Sequence, residues 1–241
     1  MSSVSPARPW GRRAVLRAGA AALSGLVLAP ALAPRRGAHA QAPTRPTPAQ
    51  ALQRLIEGNQ RFASSAPPQA DVSEGRRAEQ ASGQRPFAAI VSCSDSRVPT
   101  EIIFDQGLGD LFVCRLAGNI VDIGVAGSVE YAVAVLGVSL IFVLGHESCG
   151  AVKAAVDVVS GAALISPNID EIVHAIRAPV ERARGLPGDL LQNAIQENVR
   201  FGMRRLLAEP ELAPFLADGR IQVAGGEYNL STGVVDPIEA R

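Results

Sequence analysis

The chain has 241 residues, 47% of them hydrophobic, with 23 cationic side chains against 23 carboxylates and a formal net charge of zero. Such a balance, with Lys153 as the only lysine, excludes the dense basic surface that a nucleic-acid backbone requires, so no nucleic-acid partner is expected. A leader of about 40 residues would leave roughly 200, a size for one α/β domain with a sizeable core.

Residues 1–40 read as an export signal. Arg12-Arg13 and Arg17 precede an Ala/Leu/Val/Gly stretch, and Ala38-His39-Ala40 offers a small-x-small cleavage pattern before Gln41. The arginine pair resembles a twin-arginine leader. The apolar stretch from Ala18 to Pro34 is short for a membrane span and carries two prolines. A general secretory signal and an uncleaved anchor are the alternatives. The mature protein is therefore expected in the periplasm or otherwise exported, with no stable membrane span after leader removal, and residues 41–241 are expected to form a single domain.

Residues 41–46 are a Pro-containing linker. Thr47-Pro48 then offers an N-cap followed by proline at the first helical position, and Leu52, Leu55, Ile56 and Phe62 follow at helical spacing. This predicts an N-terminal helical arm that packs on the core or on a neighbouring subunit. The polar segment from Ser64 to Gln84 predicts loops with room for one short helix. Strands are predicted at Phe87–Val91, Leu111–Leu116, Leu140–Leu144 and Ile221–Ala224, near-continuously apolar as parallel strands covered on both faces must be. Helices are predicted near Val125–Val135, Ala151–Val159, Ile169–Arg184 and Asp189–Leu207. The alternation points to an α/β fold, a doubly wound, mostly parallel sheet flanked by helices. No G-x-G-x-x-G follows the first strand, so dinucleotide binding has little support.

Three cysteines in an exported chain first suggest a disulfide with one left over. Two of them, however, stand in Cys93-Ser94-Asp95-Ser96-Arg97 and His146-Glu147-Ser148-Cys149-Gly150. Cys93, His146 and Cys149 make a zinc-ligand set: thiolates and an imidazole in tetrahedral geometry, with one position left for water. Cys93 follows the first strand run and His146 the third, at the carboxyl edge where open parallel sheets hold their ligands. His146 and Cys149 are expected on one turn entering the next helix. The Arg97 fork can hold Asp95 in a two-point pair, ionised and turned from the metal. If that pair breaks, Asp95 can become the fourth ligand of a closed state. Two other readings stay open, a permanently closed Cys₂HisAsp site that staples the fold and a zinc-storing or redox-active protein using Cys93 and Cys149 as a thiol pair. Cys114, in an apolar run, reads as a buried unreactive thiol, and His174 as a surface or core-edge histidine.

The two words, at this separation, resemble the signature of the β-class carbonic anhydrases. The resemblance extends from Leu55-Ile56-Glu57-Gly58-Asn59-Gln60-Arg61-Phe62, through Ser128-Val129-Glu130-Tyr131-Ala132-Val133, to Gly225-Gly226-Glu227-Tyr228-Asn229-Leu230. It implies reversible, zinc-dependent hydration of carbon dioxide to bicarbonate and a proton by a homodimer or homotetramer. Carried over residue by residue, it implies that Asp95 and Arg97 control the site, that Gln84 from the partner subunit donates to the product oxygen, that Phe112 and Tyr131 wall the pocket, and that the backbone at Gly150 assists. On the residues alone, Gln84 also reads as a turn cap, and Phe112 and Tyr131 as core. Two thiolates leave the first shell without net charge, so activity is expected to climb on the alkaline side of neutrality. Hydrolysis of carbon disulfide or carbonyl sulfide, both shaped like carbon dioxide, is a nearby alternative. Some members of the family bind inhibitory bicarbonate through a tryptophan three residues before the first cysteine, with an arginine and a tyrosine. Arg115 and Tyr228 match the latter two, but Ile90 occupies the tryptophan position, so regulation by bicarbonate is not expected.

Overall fold

The computed structural model describes residues 45–163 and 166–240, and the expected export signal lies outside the described residues. Helix α1, Pro48–Ala63, starts at a reciprocal capping box in which Thr47 and Gln50 each accept from the other's amide. Its Ala51 and Leu55 are buried with Ile103 and Phe104, so the arm packs on this chain's own core. Gly58 permits the close approach, since a Cβ there would stand 1.8 Å from the Phe104 carbonyl oxygen. Helix α2, Glu74–Gln80, is the one helix of the polar segment.

Five strands follow, β1 (Ala88–Ser92), β2 (Leu111–Arg115), β3 (Leu140–His146), β4 (Gln222–Tyr228) and β5 (Val235–Ile238). They lie side by side in the order β2-β1-β3-β4-β5. The first four are parallel, and β5 runs antiparallel along β4. Between them run the short helix α3 (Thr100–Ile103), then α4 (Ile123–Ala134), α5 (Gly150–Val159), α6 (Pro167–Ala183), α7 (Leu190–Leu207) and the short α8 (Ala213–Ala217).

The two-residue period of the strands sorts their side chains onto two faces. Ala89, Val91, Ile141 and Val143 pack with Val129 and Val133 of α4 and Val199 and Met203 of α7. Ala88, Ile90, Leu140, Phe142 and Leu144 pack on the other face with α1 and α3. Both faces are covered, which is the doubly wound arrangement.

Two features depart from expectation. Strand β4 runs on through Gly225 and Gly226, residues that weigh against a strand. They are required by close packing, because a Cβ on Gly225 would stand 2.8 Å from the Met203 sulfur and one on Gly226 2.8 Å from the Asp236 carbonyl oxygen. Strand β5, four residues including Pro237, carries no apolar alternation, and proline is tolerated there because the strand lies at an edge. Among the described residues no helix is long and apolar enough to cross a membrane.

Candidate metal centre

In the order β2-β1-β3, the chain steps from β1 to one side and then crosses to the other. The carboxyl ends of β1 and β3 therefore diverge in their onward paths, leaving a crevice between them. Cys93 is the residue that follows β1, and His146 is the last residue of β3, with Ser92 opposite Leu144. His146 thus ends a strand rather than starting a helical turn. Glu147 and Ser148, the latter at φ 52°, turn the chain so that Cys149 becomes the N-cap of α5. Cys93 Sγ, Cys149 Sγ and a ring nitrogen of His146 lie within 4.8 Å of one another, all in buried residues.

The donor set fits a tetrahedral zinc ion. Two sulfurs at the usual zinc distance of about 2.3 Å stand about 3.8 Å apart, and here the sulfurs are 3.9 Å apart as free thiols. His146 Nδ1 lies 2.8 Å from the Glu147 carbonyl oxygen. A carbonyl only accepts, so Nδ1 carries the proton and Nε2 offers its lone pair toward the sulfurs. That Nε2 is buried and has no hydrogen-bond partner. Leaving such an atom unpaired costs about 1–3 kcal/mol, which a metal ligand bond would remove.

Local backbone groups stabilise thiolate here. Hydrogen bonding from the Cys149 thiol, then contacts from His146 and the amides of Gly118 at 3.2 Å and Asp95 at 3.4 Å, draws the Cys93 thiol well below its ordinary value. The Cys149 thiol is pushed up because it donates to Cys93 and is buried, while the amides of Val152 and Ala151 at the start of α5 favour its ionised form. A metal in place of the shared proton would let both sulfurs ionise.

Asp95 faces the same space. Its Oδ1 accepts from the Arg97 backbone amide and from Arg97 Nε, each at 2.9 Å, and its Oδ2 accepts from Arg97 Nη2 at 2.8 Å. The Arg97 guanidinium outweighs burial and holds the Asp95 carboxyl well below the usual carboxylate range. Oδ2 also stands 3.8 Å from His146 Nε2. Of the two arrangements open to Asp95, the pair with Arg97 is the one present.

Several supporting residues were not legible as such. Arg115 donates from Nε to the Cys93 carbonyl at 3.0 Å and from Nη2 to the Asp95 carbonyl at 2.6 Å, bracing the loop that carries the first ligand. Glu147 is tied by Asn229 Nδ2 at 2.7 Å and the Leu230 amide at 3.1 Å, which fixes the peptide that orients His146. The quoted run ending Tyr228-Asn229-Leu230 was the only sequence signal for that brace. Ile90 and Tyr228 are both core residues.

Neither Gln84 nor the ring pair of Phe112 and Tyr131 is brought by this chain to its own Cys93. Gln84 precedes β1 whereas Cys93 follows it, and five strand residues span roughly 16 Å. Phe112 is opposite Ala89, three residues short of Ser92, and its ring centre lies 6.3 Å from that of Tyr131 on α4. Gly150 does stand beside Cys149, and a Cβ there would meet nothing within 4 Å. Cys114 is half-buried, with its thiol pushed up by burial, as befits an unreactive packing thiol.

Fold and site together define a metal-binding α/β protein with a Cys₂His centre at the switch point of its sheet. The family described as carbonic anhydrase matches residues 88–235. Carbonic anhydrase 2 of Mycobacterium tuberculosis is 43% identical over 190 residues, 77% of this chain and 90% of that one. The structure of the β-carbonic anhydrase CcaA superposes with a TM-score of 0.61 at 31% identity, covering 78% of this chain and 98% of that one. A tetrameric β-carbonic anhydrase of Sordaria macrospora superposes with a TM-score of 0.59 at 28% identity, covering 68% of this chain and 89% of that one. The chain belongs to the β-class carbonic anhydrases, enzymes that interconvert carbon dioxide and bicarbonate, and these likenesses do not favour carbon disulfide or carbonyl sulfide hydrolysis.

Proposed function

We propose that this carbonic anhydrase is a zinc enzyme of the exported compartment that works as a homo-oligomer. The observation that carries the metal assignment is the buried, partnerless His146 Nε2 facing two thiols 3.9 Å apart. Cys93, His146 and Cys149 would hold zinc, and the chemistry that zinc supplies is to lower the pKa of water toward neutrality.

The chain's own residues do the rest. A carboxylate oxygen can accept about two hydrogen bonds. Asp95 Oδ1 is filled by its two bonds from Arg97, whereas Oδ2 takes one. Oδ2 therefore keeps an acceptor position on the side of His146 and can accept a hydrogen bond from the reacting water or from bicarbonate. Arg97 keeps that carboxylate charged and turned from the sulfurs. Beside it, the amides of Ala151 and Val152 serve Cys149, whereas the Gly150 amide has no acceptor within the helix and suits the developing negative oxygen of the product. Gly150 leaves that approach open.

Gln84, Phe112 and Tyr131 are offered to a second copy. Strand β2 is an edge of the sheet with one side unpaired among the described residues, a template for association. Ile123, Tyr131 and Val135, on or capping the adjacent α4, are 88%, 46% and 63% exposed. A partner docked there would receive the three side chains at its own metal centre and would cover these apolar groups. The tetrameric Sordaria macrospora protein supports an oligomeric state.

The test is a stopped-flow pH-indicator assay on protein recovered from the periplasm of cells expressing the full chain. Hydration by zinc-loaded protein, with the rate climbing on the alkaline side of neutrality, is expected in that fraction. Zinc-loaded protein without hydration would sink the enzymatic reading, and active protein confined to the cytoplasm would sink the export reading alone.

A further inference from the structure

Behind the metal centre a cavity of about 230 Å³ opens between residues 119–121, α6 and α7. Asn198, Phe201, Gly202 and Arg205 line it from α7, and steps of three and four put them on one helix face. His174 lines it from α6, and Asn119 lines it from the turn that follows β2. Asn119 is 2% exposed, yet its Nδ2 has no hydrogen-bond partner. A buried amide donor of this kind calls for an acceptor. The His174 and Arg205 side chains have no partner among the described residues, and no carboxylate lines the cavity.

We propose that this cavity binds a small oxyanion, a carboxylate or inorganic phosphate, and couples it to the metal centre. One buried donor and two basic side chains at the rim match an anion with two or more oxygens. At about 30 Å³ for each water, the volume holds acetate or phosphate and is too small for a nucleotide. Coupling runs through the turn Ala117–Asn119, whose Gly118 and Asn119 have φ of 72° and 44°. The Gly118 amide donates to Cys93 Sγ at 3.2 Å, and its carbonyl accepts from Asn198 Nδ2 at 2.7 Å. Two residues that line the cavity thus adjoin or hold Gly118, whose amide donates to a metal-site sulfur, so an anion bound to Asn119 would fix that turn. Only this coupling rests on the zinc-enzyme reading; the binding does not.

The test uses zinc-loaded full chain labelled in its histidine rings, titrated with acetate and separately with inorganic phosphate, with ionic strength held constant by chloride. The His174 ring signal should shift and saturate, and whichever anion saturates at the lower concentration names the class. Arg205→Gln should weaken the saturation at least tenfold. Asn119→Asp should do the same, since aspartate tolerates the left-handed turn but replaces the donor with a negative charge. Hydration should change at least twofold over the same titration in the native chain and stay constant in Arg205→Gln, whose rate without anion should match the native one. A linear shift, or equal saturation in both variants, overturns the site. Saturable binding with unchanged turnover overturns the coupling, and anion inhibition surviving in Arg205→Gln would assign that effect to the metal instead. Protein with no hydration at all leaves the ring titration readable, so the two readings fail separately.

Discussion

Asp95 shows how a few hydrogen bonds select between two chemistries for one side chain. With both oxygens tied to Arg97 it is a charged acceptor 3.8 Å from the His146 ring nitrogen, and released it could join the metal donors. Asp95→Asn should therefore retain zinc and lose about 10–100-fold in turnover, as outer-shell changes do, measured by metal analysis alongside stopped-flow hydration. Full turnover with full zinc would remove the control role from this residue. Cys93, His146, Cys149, Asp95 and Arg97 were legible from the chain alone because thiol, imidazole, carboxylate and guanidinium each have few other reasons to meet in such words. Gly118 was not, because its contribution is a backbone amide, and any residue type carries one. Arg115 was legible as a residue of interest but not as a loop brace, since the carbonyls it holds come from residues 20 and 22 positions away.

At the scale of elements, apolar runs announced β1, β2 and β3, whose apolar side chains are buried or half-buried on both faces of the sheet. The far half of β4 and all of β5 were hidden by Gly225, Gly226, Asp236 and Pro237, residues chosen for close packing and an edge rather than for strand propensity. The arm was legible as a helix through its cap, yet its seating was not. Gly58 and Asn59 dock it, the latter donating from Nδ2 to the Ile103 carbonyl at 3.2 Å and the Gly233 carbonyl at 2.8 Å while its Oδ1 accepts from the Val235 amide at 2.8 Å. Gly58→Ala should force α1 off Phe104 and cost about 1–3 kcal/mol or more. Gly75→Ala, whose Cβ would meet only Ser73 Oγ at 3.8 Å, should instead gain up to about 1 kcal/mol from helix propensity. Urea unfolding of the two variants distinguishes them, and equal stabilities would show that the tight contact at Gly58 yields freely.

For the whole molecule, the sheet order places the metal donors at one end of β1 and Gln84 at the other, so the role proposed for Gln84 requires a second copy. That division of labour cannot be read from a sequence without a resemblance to guide it, because spacing along one chain says nothing about which copy a residue serves. Gln84→Ala and Cys149→Ala should each be nearly inactive alone, and co-refolded mixtures should recover hydration that neither parent has. No recovery on mixing, with mixed oligomers demonstrated by mass, would place Gln84 outside the partner's site.

Zinc K-edge X-ray absorption on the enzyme as isolated tests the metal centre most directly. Two sulfurs at about 2.3 Å, one imidazole nitrogen at about 2.0–2.1 Å and one further light atom are expected, with the sulfur shell and hydration lost together in Cys149→Ala. A sulfur-free shell, or full hydration from protein without zinc, would contradict the assignment of Cys93, His146 and Cys149.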